Sequence, residues 1–388
     1  MRVLHVGKYY PPYDGGIEAH LQTLASGLAE RCEVTALVFN TSPRTVEETV
    51  EGVRVVRAGS LGRLFSTELS PAFFRLFRRL RHADVIHLHT PNPLGELACL
   101  AAPKGARLVI TYHSDVVRQR LLGRLNRFVL HRLIRRADRV ITFTRRYMET
   151  SPVLSRHEDK CVFIPHGIDG EEMAGTPAVS AMAARLRAEH GPRIVLFVGR
   201  LVYYKGVDVL LRAMTGVPGA RLLIAGDGPM RPDLERLTAE LGLGGRVVFL
   251  GKVSHQEKVA CYRAGDVFVL PATHRSEAFG VVQVEALACG LPVVCTNIDS
   301  GVPFVNRHGE TGLVVEPNDP EGLAAAIRTI LEDASLRGRF GEAAVRRASE
   351  RFSRQAMIRD CMALYTALTG VPEAGRSAAA RRPAAWRG

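Results

Sequence analysis

The 388-residue sequence has no C-x-x-C pair and no histidines set near its cysteines at metal-ligand spacing. Its seven cysteines, Cys32, Cys99, Cys161, Cys261, Cys289, Cys295 and Cys361, form an odd set. Both facts argue against a disulfide framework or a zinc site and fit a reduced cytoplasmic protein. No apolar run approaches the roughly 20 residues that span a bilayer. The stretch from Met1 to Tyr10 reads as a strand before Pro11 and Pro12, without the charged leader and apolar core of a signal peptide. No two aspartates flank a single residue, so the D-x-D pattern of metal-dependent sugar transfer is missing and no divalent metal is implied. G-x-G-x-x-G is also missing, which disfavours a nicotinamide cofactor. No repeat at solenoid spacing occurs.

What is present is an ordinary globular composition, 46% apolar and 23% charged, with a net charge of +13 and a pI near 9.8. A surplus of that size points to nucleic acid, anionic lipid or phosphorylated small molecules as partners. Between Arg63 and Arg139 there are fifteen Lys or Arg against five Asp or Glu. They interleave with leucines rather than exposed aromatics and carry no nucleic-acid motif, so nucleic acid is not the expected partner. From Arg118 to Arg139 eight arginines flank Leu121, Leu122, Leu125, Phe128, Val129, Leu133 and Ile134, which form one stripe at helical spacing. This helix either packs on a sheet with a solvated back or, with Arg75, Arg78, Arg79 and Arg81, holds an amino-terminal domain peripherally against anionic membrane.

The length favours two domains. Strand patterns at Arg2–Gly7, Val34–Phe39, Asp84–His89, Arg107–Tyr112 and Val140–Thr144, with a helical pattern at Ile17–Arg31, predict a parallel α/β sheet. A second series at Arg193–Gly199, Ala220–Ala225, Val247–Leu250, Val267–Leu270 and Pro292–Cys295 predicts another. The expected organisation is therefore α/β, with two Rossmann-like doubly wound domains, 1–168 and 169–350, facing a central cleft where a ligand binds. A helix at 351–369 is expected to pack back toward the first domain, followed by a disordered tail at 370–388.

Chemistry concentrates in Arg275–Glu285, directly after a strand. Glu277 and Glu285 stand eight positions apart, about 80° apart on a continuous helix. The arrangement makes sense if Glu277 lies in a loop and Glu285 in a helix starting near Gly280. Free backbone N–H groups at such a start attract an anion. Glu285 sits among Val281, Val282, Val284 and Ala286, where a carboxylate needs a partner. Arg200 and Lys205, after the first strand of the second domain, offer a fork and a point charge to phosphate oxygens. Gly15 and Gly16 join the first strand to the first helix and let the backbone approach a phosphate or sugar. His113 ends another strand and would face the cleft, whereas His166 reads as a packing or hinge residue.

These motifs, with Gly226-Asp227-Gly228-Pro229 and Gly309 to Val314, resemble the retaining GT-B enzymes of glycosyltransferase family four over Met1 to about Leu368. The resemblance implies a nucleotide-diphosphate-sugar donor and no cofactor or metal. It implies that Arg200 and Lys205 hold the donor diphosphate, Glu285 the ribose and Glu277 the transferred sugar. The backbone at Phe279, Gly280 and Val281 is implied to bind phosphate and sugar oxygens, with Gly15 and Gly16 closing over the diphosphate and His113 near the reacting carbon. Retention in such enzymes is ascribed to front-face attack with the departing phosphate as base. Arg275 to Glu277, Gln283, and Ser300 to Val305 with His308 resemble the mannosyl- and rhamnosyltransferases of bacterial O-antigen synthesis. The implied activity is hexosyl transfer to a glycan or lipid-linked acceptor. The base-reading region, Leu250 to Glu257 around Val253, has no carboxylate just after Val253 to meet guanine, unless Glu257 serves, so GDP and UDP both stay open. A nucleotide-sugar epimerase and a basic-surface binding protein are the alternatives.

Overall fold

The computed structural model describes residues 1–13, 15–64, 67–115 and 120–371, with backbone only for 120–127. The tail expected to be disordered falls outside these residues from Pro372 on. The chain divides into two compact units. One comprises Met1–Thr111, Arg136–Arg139 and the chain from Ile358, and the other Tyr112–Arg135 and Val140–Met357.

Among the described residues, ten strands precede the second series. They are β1 (Arg2–Val6), β2 (Glu33–Phe39), β3 (Val46–Val50), β4 (Val53–Ala58), the two-residue β5 (Arg63–Leu64) and β6 (Thr67–Glu68), β7 (Val85–Thr90), β8 (Arg107–Tyr112), β9 (Arg139–Thr142) and β10 (Cys161–Phe163). Among the described residues, one sheet runs β10-β9-β8-β7-β1-β2-β4-β3. β1 pairs in parallel with both β2 and β7, and β2 with β4. The centre is buried on both faces: β7 is buried throughout, Val3, Leu4 and Val6 are buried on β1, and His5 of β1 packs against His87 and His89 of β7 on one face. This is how a parallel sheet covered on two sides reads.

The expected strands pair within this sheet, and an edge strand outside that expectation joins them. β3 runs antiparallel to β4 at the edge, joined by Glu51 and Gly52, both with positive φ. That backbone is a two-residue hairpin turn, matched to the twist of its strands. β3 is exposed over most of its length and is held by cross-strand ion pairs, Glu47 with Arg54 and Glu48 with Arg57. In the same unit Tyr365, on the helix Arg354–Thr369, meets His87 Nδ1 with its hydroxyl at 2.5 Å.

The arginine-rich segment forms the helix Arg120–Arg136, with Arg118 outside the described residues. Its buried face carries Leu130, Leu133 and Ile134, while Phe128, expected in the apolar stripe, is 64% exposed. On the other basic helix, Pro71–Leu80, Phe73 and Phe77 supply the buried face. Arg79 is paired with Glu47, and Arg81 donates to the Ala101 carbonyl at 2.9 Å.

The second unit holds β11 (Ile194–Val198), β12 (Arg221–Ala225), β13 (Val247–Gly251), β14 (Val267–Leu270), β15 (Val293–Thr296) and β16 (Gly312–Val315). The sheet order is β13-β12-β11-β14-β15-β16, parallel in every pairing. β16 is a strand absent from the sequence-based expectation. β11, β14 and β15 are buried end to end, and the intervening helices cover them with residues such as Leu210, Leu211, Val284 and Leu287. The strand order reverses between β11 and β14, so the chains leaving these neighbours diverge at their carboxyl ends. Ligands collect at such a point in open α/β sheets.

Candidate active site

Two loops leave the switch point, and two left-handed glycines let them meet. Gly206 (φ 66°) ends the loop after β11, and a Cβ there would stand 2.0 Å from the Pro271 carbonyl oxygen in the chain after β14. Only glycine fits both that conformation and that approach. The loops are then joined by Thr273 N–H donating to the Tyr204 carbonyl at 3.0 Å. Gly280 (φ 76°) precedes the helix Val281–Ala288, offers no side-chain cap, and is buried. Its loop is pinned by Gly301 N–H to the Ala278 carbonyl at 2.7 Å and by the buried Gln283 amide facing the Val302 carbonyl at 3.3 Å.

The consequence is that Lys205 and Glu277 come together, with Nζ 2.5 Å from Oε2. Their side chains are only 10% and 12% exposed. Pairing in so dry a setting offsets the cost of withdrawing each charge from water. Arg200 stands exposed at the start of the same loop. Glu277 lies in the loop and Glu285 in the helix beginning after Gly280, which is the expected arrangement. The partner that the apolar setting of Glu285 demanded is double: Lys258 Nζ at 2.7 Å and the Tyr262 hydroxyl at 2.8 Å. Neither was foreseen, although Lys258 and Tyr262 stand four apart on the helix His255–Ala264 and so share a face. Burial, followed by the Glu285 carboxylate, pushes the Tyr262 hydroxyl well above its ordinary value, so it stays a donor.

Glu257, suggested as a base reader, is engaged otherwise. Its carboxylate accepts from Ser254 N–H at 2.7 Å while Ser254 Oγ accepts from Glu257 N–H, closing a capping box at the start of that helix. Val253 precedes the box, half-buried.

His113 is buried at the end of β8, its ring 5.5 Å from that of Phe143. Phe143 in turn lies 5.3 Å from Phe279 and 6.3 Å from the buried His166. Phe279 thus contributes a ring to this aromatic group and its backbone to the glycine loop. Burial, and secondarily His166, pulls His113 down to about 3; burial alone pulls His166 down to about 4. Both imidazoles are neutral at physiological pH.

In the first unit, Gly15 and Gly16 are exposed at the start of the helix Gly16–Ala29. Gly15 has extended backbone (φ 177°), so its conformation does not require glycine, but a Cβ would stand 2.0 Å from Glu18 Oε2. Glu18 is buried, and burial raises its carboxyl while its own backbone N–H and Lys8 oppose the shift.

A basic loop and a paired glutamate site at the switch point of one of two doubly wound units define a glycosyltransferase of the GT-B class. The chain belongs to glycosyltransferase family four: residues 14–172 match the profile described as Glycosyltransferase Family 4, and residues 172–347 that of Glycosyl transferases group 1. It is 33% identical over 374 residues to an O-antigen chain mannosyltransferase C of Escherichia coli, covering 95% of this chain and 99% of the relative. It is 36% identical over 357 residues to a D-rhamnosyltransferase of Pseudomonas aeruginosa, covering 89% and 91%. Among solved structures, the sucrose-phosphate synthase of Thermosynechococcus elongatus superposes with a TM-score of 0.82 at 25% identity, covering 95% of this chain and 100% of that one. Nothing in these relatives supports the epimerase alternative.

Proposed function

We propose that the protein is a retaining, metal-independent hexosyltransferase that moves a mannose- or rhamnose-type sugar from a nucleotide-diphosphate donor to a glycan or lipid-linked acceptor in cell-surface polysaccharide synthesis. The sugar type follows the relatives in Escherichia coli and Pseudomonas aeruginosa. The observation that carries the chemistry is the Lys205–Glu277 pair at the switch point. A donor entering there meets a cation for its diphosphate beside a carboxylate for the hydroxyls of its sugar. Arg200 adds a second cation, and the N–H groups at Phe279, Gly280 and Val281 supply preorganised dipoles for phosphate and sugar oxygens. Glu285, oriented by Lys258 and Tyr262, takes the ribose hydroxyls.

As the bond from the anomeric carbon to the phosphate oxygen breaks, negative charge grows on the leaving diphosphate, where Arg200 and Lys205 stabilise it. The acceptor hydroxyl attacks from the same face and gives its proton to the departing phosphate oxygen, so no protein nucleophile is needed. His113, neutral near the reacting carbon, can hydrogen-bond the sugar without adding charge.

Incubation with a panel of GDP-, UDP- and dTDP-hexoses, with and without acceptor glycan, tests this reading. Nucleoside diphosphate should appear in an acceptor-dependent way, survive chelation, and accompany a product whose anomeric signal by NMR matches that of the donor. An inverted product, or activity lost on chelation and restored by manganese, contradicts it.

Membrane docking of the amino-terminal part is supported by Phe128, 64% exposed beside the exposed Arg132 and Arg135. The full chain should sediment with anionic but not neutral liposomes, and less so as salt rises. Full recovery in the supernatant with both lipids leaves the helix a packing element.

A further inference from the structure

His113 and Glu277 lie on segments remote in sequence, yet each has, two residues away, one member of a single ion pair. Asp115 follows His113 and Arg275 precedes Glu277. Arg275 Nη2 is 3.0 Å from Asp115 Oδ2, with side chains 20% and 9% exposed. The carboxylate is held from every side. Oδ1 accepts from the Tyr112 hydroxyl at 2.8 Å and from Ser151 Oγ at 2.9 Å, and Oδ2 accepts from the Tyr147 hydroxyl at 3.2 Å. Asp115 N–H donates to the same Tyr147 oxygen at 2.7 Å. The guanidinium is held by one hydrogen bond, Nη1 donating to the Thr150 carbonyl, by its position over the Tyr147 ring, 5.1 Å from the centre, and by charge attraction to Asp115, while its buried Nε and Nη2 make no hydrogen bond.

Such an arrangement is poorly suited to proton transfer, because the acceptor sites of Asp115 are occupied and a guanidinium does not deprotonate. As a stability device it is also weak, since a dry ion pair roughly cancels its own desolvation cost. Its geometry does something else. A carboxylate holding three side-chain hydrogen bonds, and a guanidinium held by Thr150, the Tyr147 ring and the carboxylate's charge, narrow the rotamers of both partners and so the distance between the backbone at Asp115 and at Arg275. That fixes the end of β8 carrying His113 against the loop carrying Glu277.

We infer that Asp115 and Arg275 are positioning residues for sugar transfer: their ion pair sets His113 and Glu277 at the spacing that the transition state needs, without touching the donor. The inference rests on the proposed transferase reading. It assigns the pair mainly an effect on turnover and little on donor capture, because Glu285, the proposed ribose contact, is held by Lys258 and Tyr262, and Lys205 touches the strut only through Glu277.

Two measurements on the full chain test it. First, hydrogen exchange is followed in the ligand-free protein for peptides covering 111–115 and 274–280, in Arg275→Gln and Asp115→Asn. Each variant should accelerate exchange several-fold in both segments; acceleration confined to the substituted segment overturns the inference, whatever reaction the protein catalyses. Second, steady-state kinetics are compared with thermal midpoints. Each variant should lose about tenfold or more in kcat, by analogy with other misplacements of reacting groups, while the donor KM stays within about threefold. Arg275→Lys should recover part of the loss, and the double variant should be no slower than the worse single, since both break one link. Multiplicative losses in the double variant, or a KM that rises in step with the fall in kcat, overturn the coupling. Absence of transfer by the wild type with every donor sinks the transferase reading separately and leaves the exchange result to decide the strut.

Discussion

Lys205 Nζ and Glu277 Oε2 lie 2.5 Å apart because the loops after β11 and β14 are stitched together at Gly206 and Thr273. The cation proposed for the diphosphate and the carboxylate proposed for the sugar therefore satisfy each other. On that proposal a donor is shared between them rather than captured by either.

For this reason Glu277→Ala should lower kcat by about a hundredfold, as for a lost transition-state contact. Donor affinity should stay within a few-fold, because Lys205 is then released to the diphosphate alone. Isothermal titration with nucleoside diphosphate alongside turnover measures both. Wild-type turnover would remove Glu277 from the site.

Glu285→Ala should act on binding instead. A charge-assisted bond is worth about 1.5 to 3 kcal/mol, or roughly ten- to hundredfold in donor dissociation constant. Tyr262→Phe removes one orienting bond from Glu285 at 2.8 Å and should weaken binding by a smaller factor in the same direction. If Tyr262→Phe costs more affinity than Glu285→Ala, the tyrosine is the direct contact and the roles are reversed.

Gly280→Ala should destabilise more than Gly242→Ala. Both positions have positive φ, 76° and 68°, so both substitutions pay the left-handed strain of about 1 to 2 kcal/mol. At Gly242 a Cβ meets nothing within 4 Å, whereas at Gly280 it stands 2.6 Å from Gln283 Nε2 and 2.8 Å from Leu270 Cδ2. Urea midpoints of the two variants give the comparison, and equal midpoints would mean that the loop gives way freely.

Acid should destabilise the fold from just below neutrality. His5 and His113 are held down to about 3 and His166 to about 4, each chiefly by burial, against an ordinary value of 6.5. Between those limits the unfolded chain carries protons that the folded chain refuses. The stability linked to these groups is complete above pH 6.5 and is lost as pH falls, at about 1.4 kcal/mol per pH unit for each. Unfolding midpoints should be level from pH 8 to 7 and drop steadily from 6.5 to 5; a flat profile over the acid range contradicts the neutral, buried state of these rings.

Much of the site was legible because its signals are local. Gly280 marks a helix start, and that one punctuation mark puts Glu277 in a loop and Glu285 on a helix. The strands of both sheets were legible where they are buried on two faces and read as apolar runs. The edge strand β3, Val-Glu-Glu-Thr-Val, has no such run because it faces water, although Glu51-Gly52 was a usable turn signal. The capping box of Glu257 with Ser254, three residues before it, was a local signal that the sequence reading left unused. Periodicity put Phe128 in one apolar stripe with Leu133 and Ile134; those two pack, together with Leu130, while Phe128 is exposed. The Asp115–Arg275 pair has no local signal at all, since only the finished fold brings its members within reach.

The divergence of the chains after β11 and β14 is a property of strand order, and no single side chain creates it. The region expected to read the nucleotide base, around Val253, leaves β13 instead, an edge strand with one neighbour in its sheet. If Val253 reads the base and the loops after β11 and β14 break the bond, the two tasks sit on different strands, so that a substitution retuning the choice of base falls at the margin of the sheet and not among the proposed reacting groups.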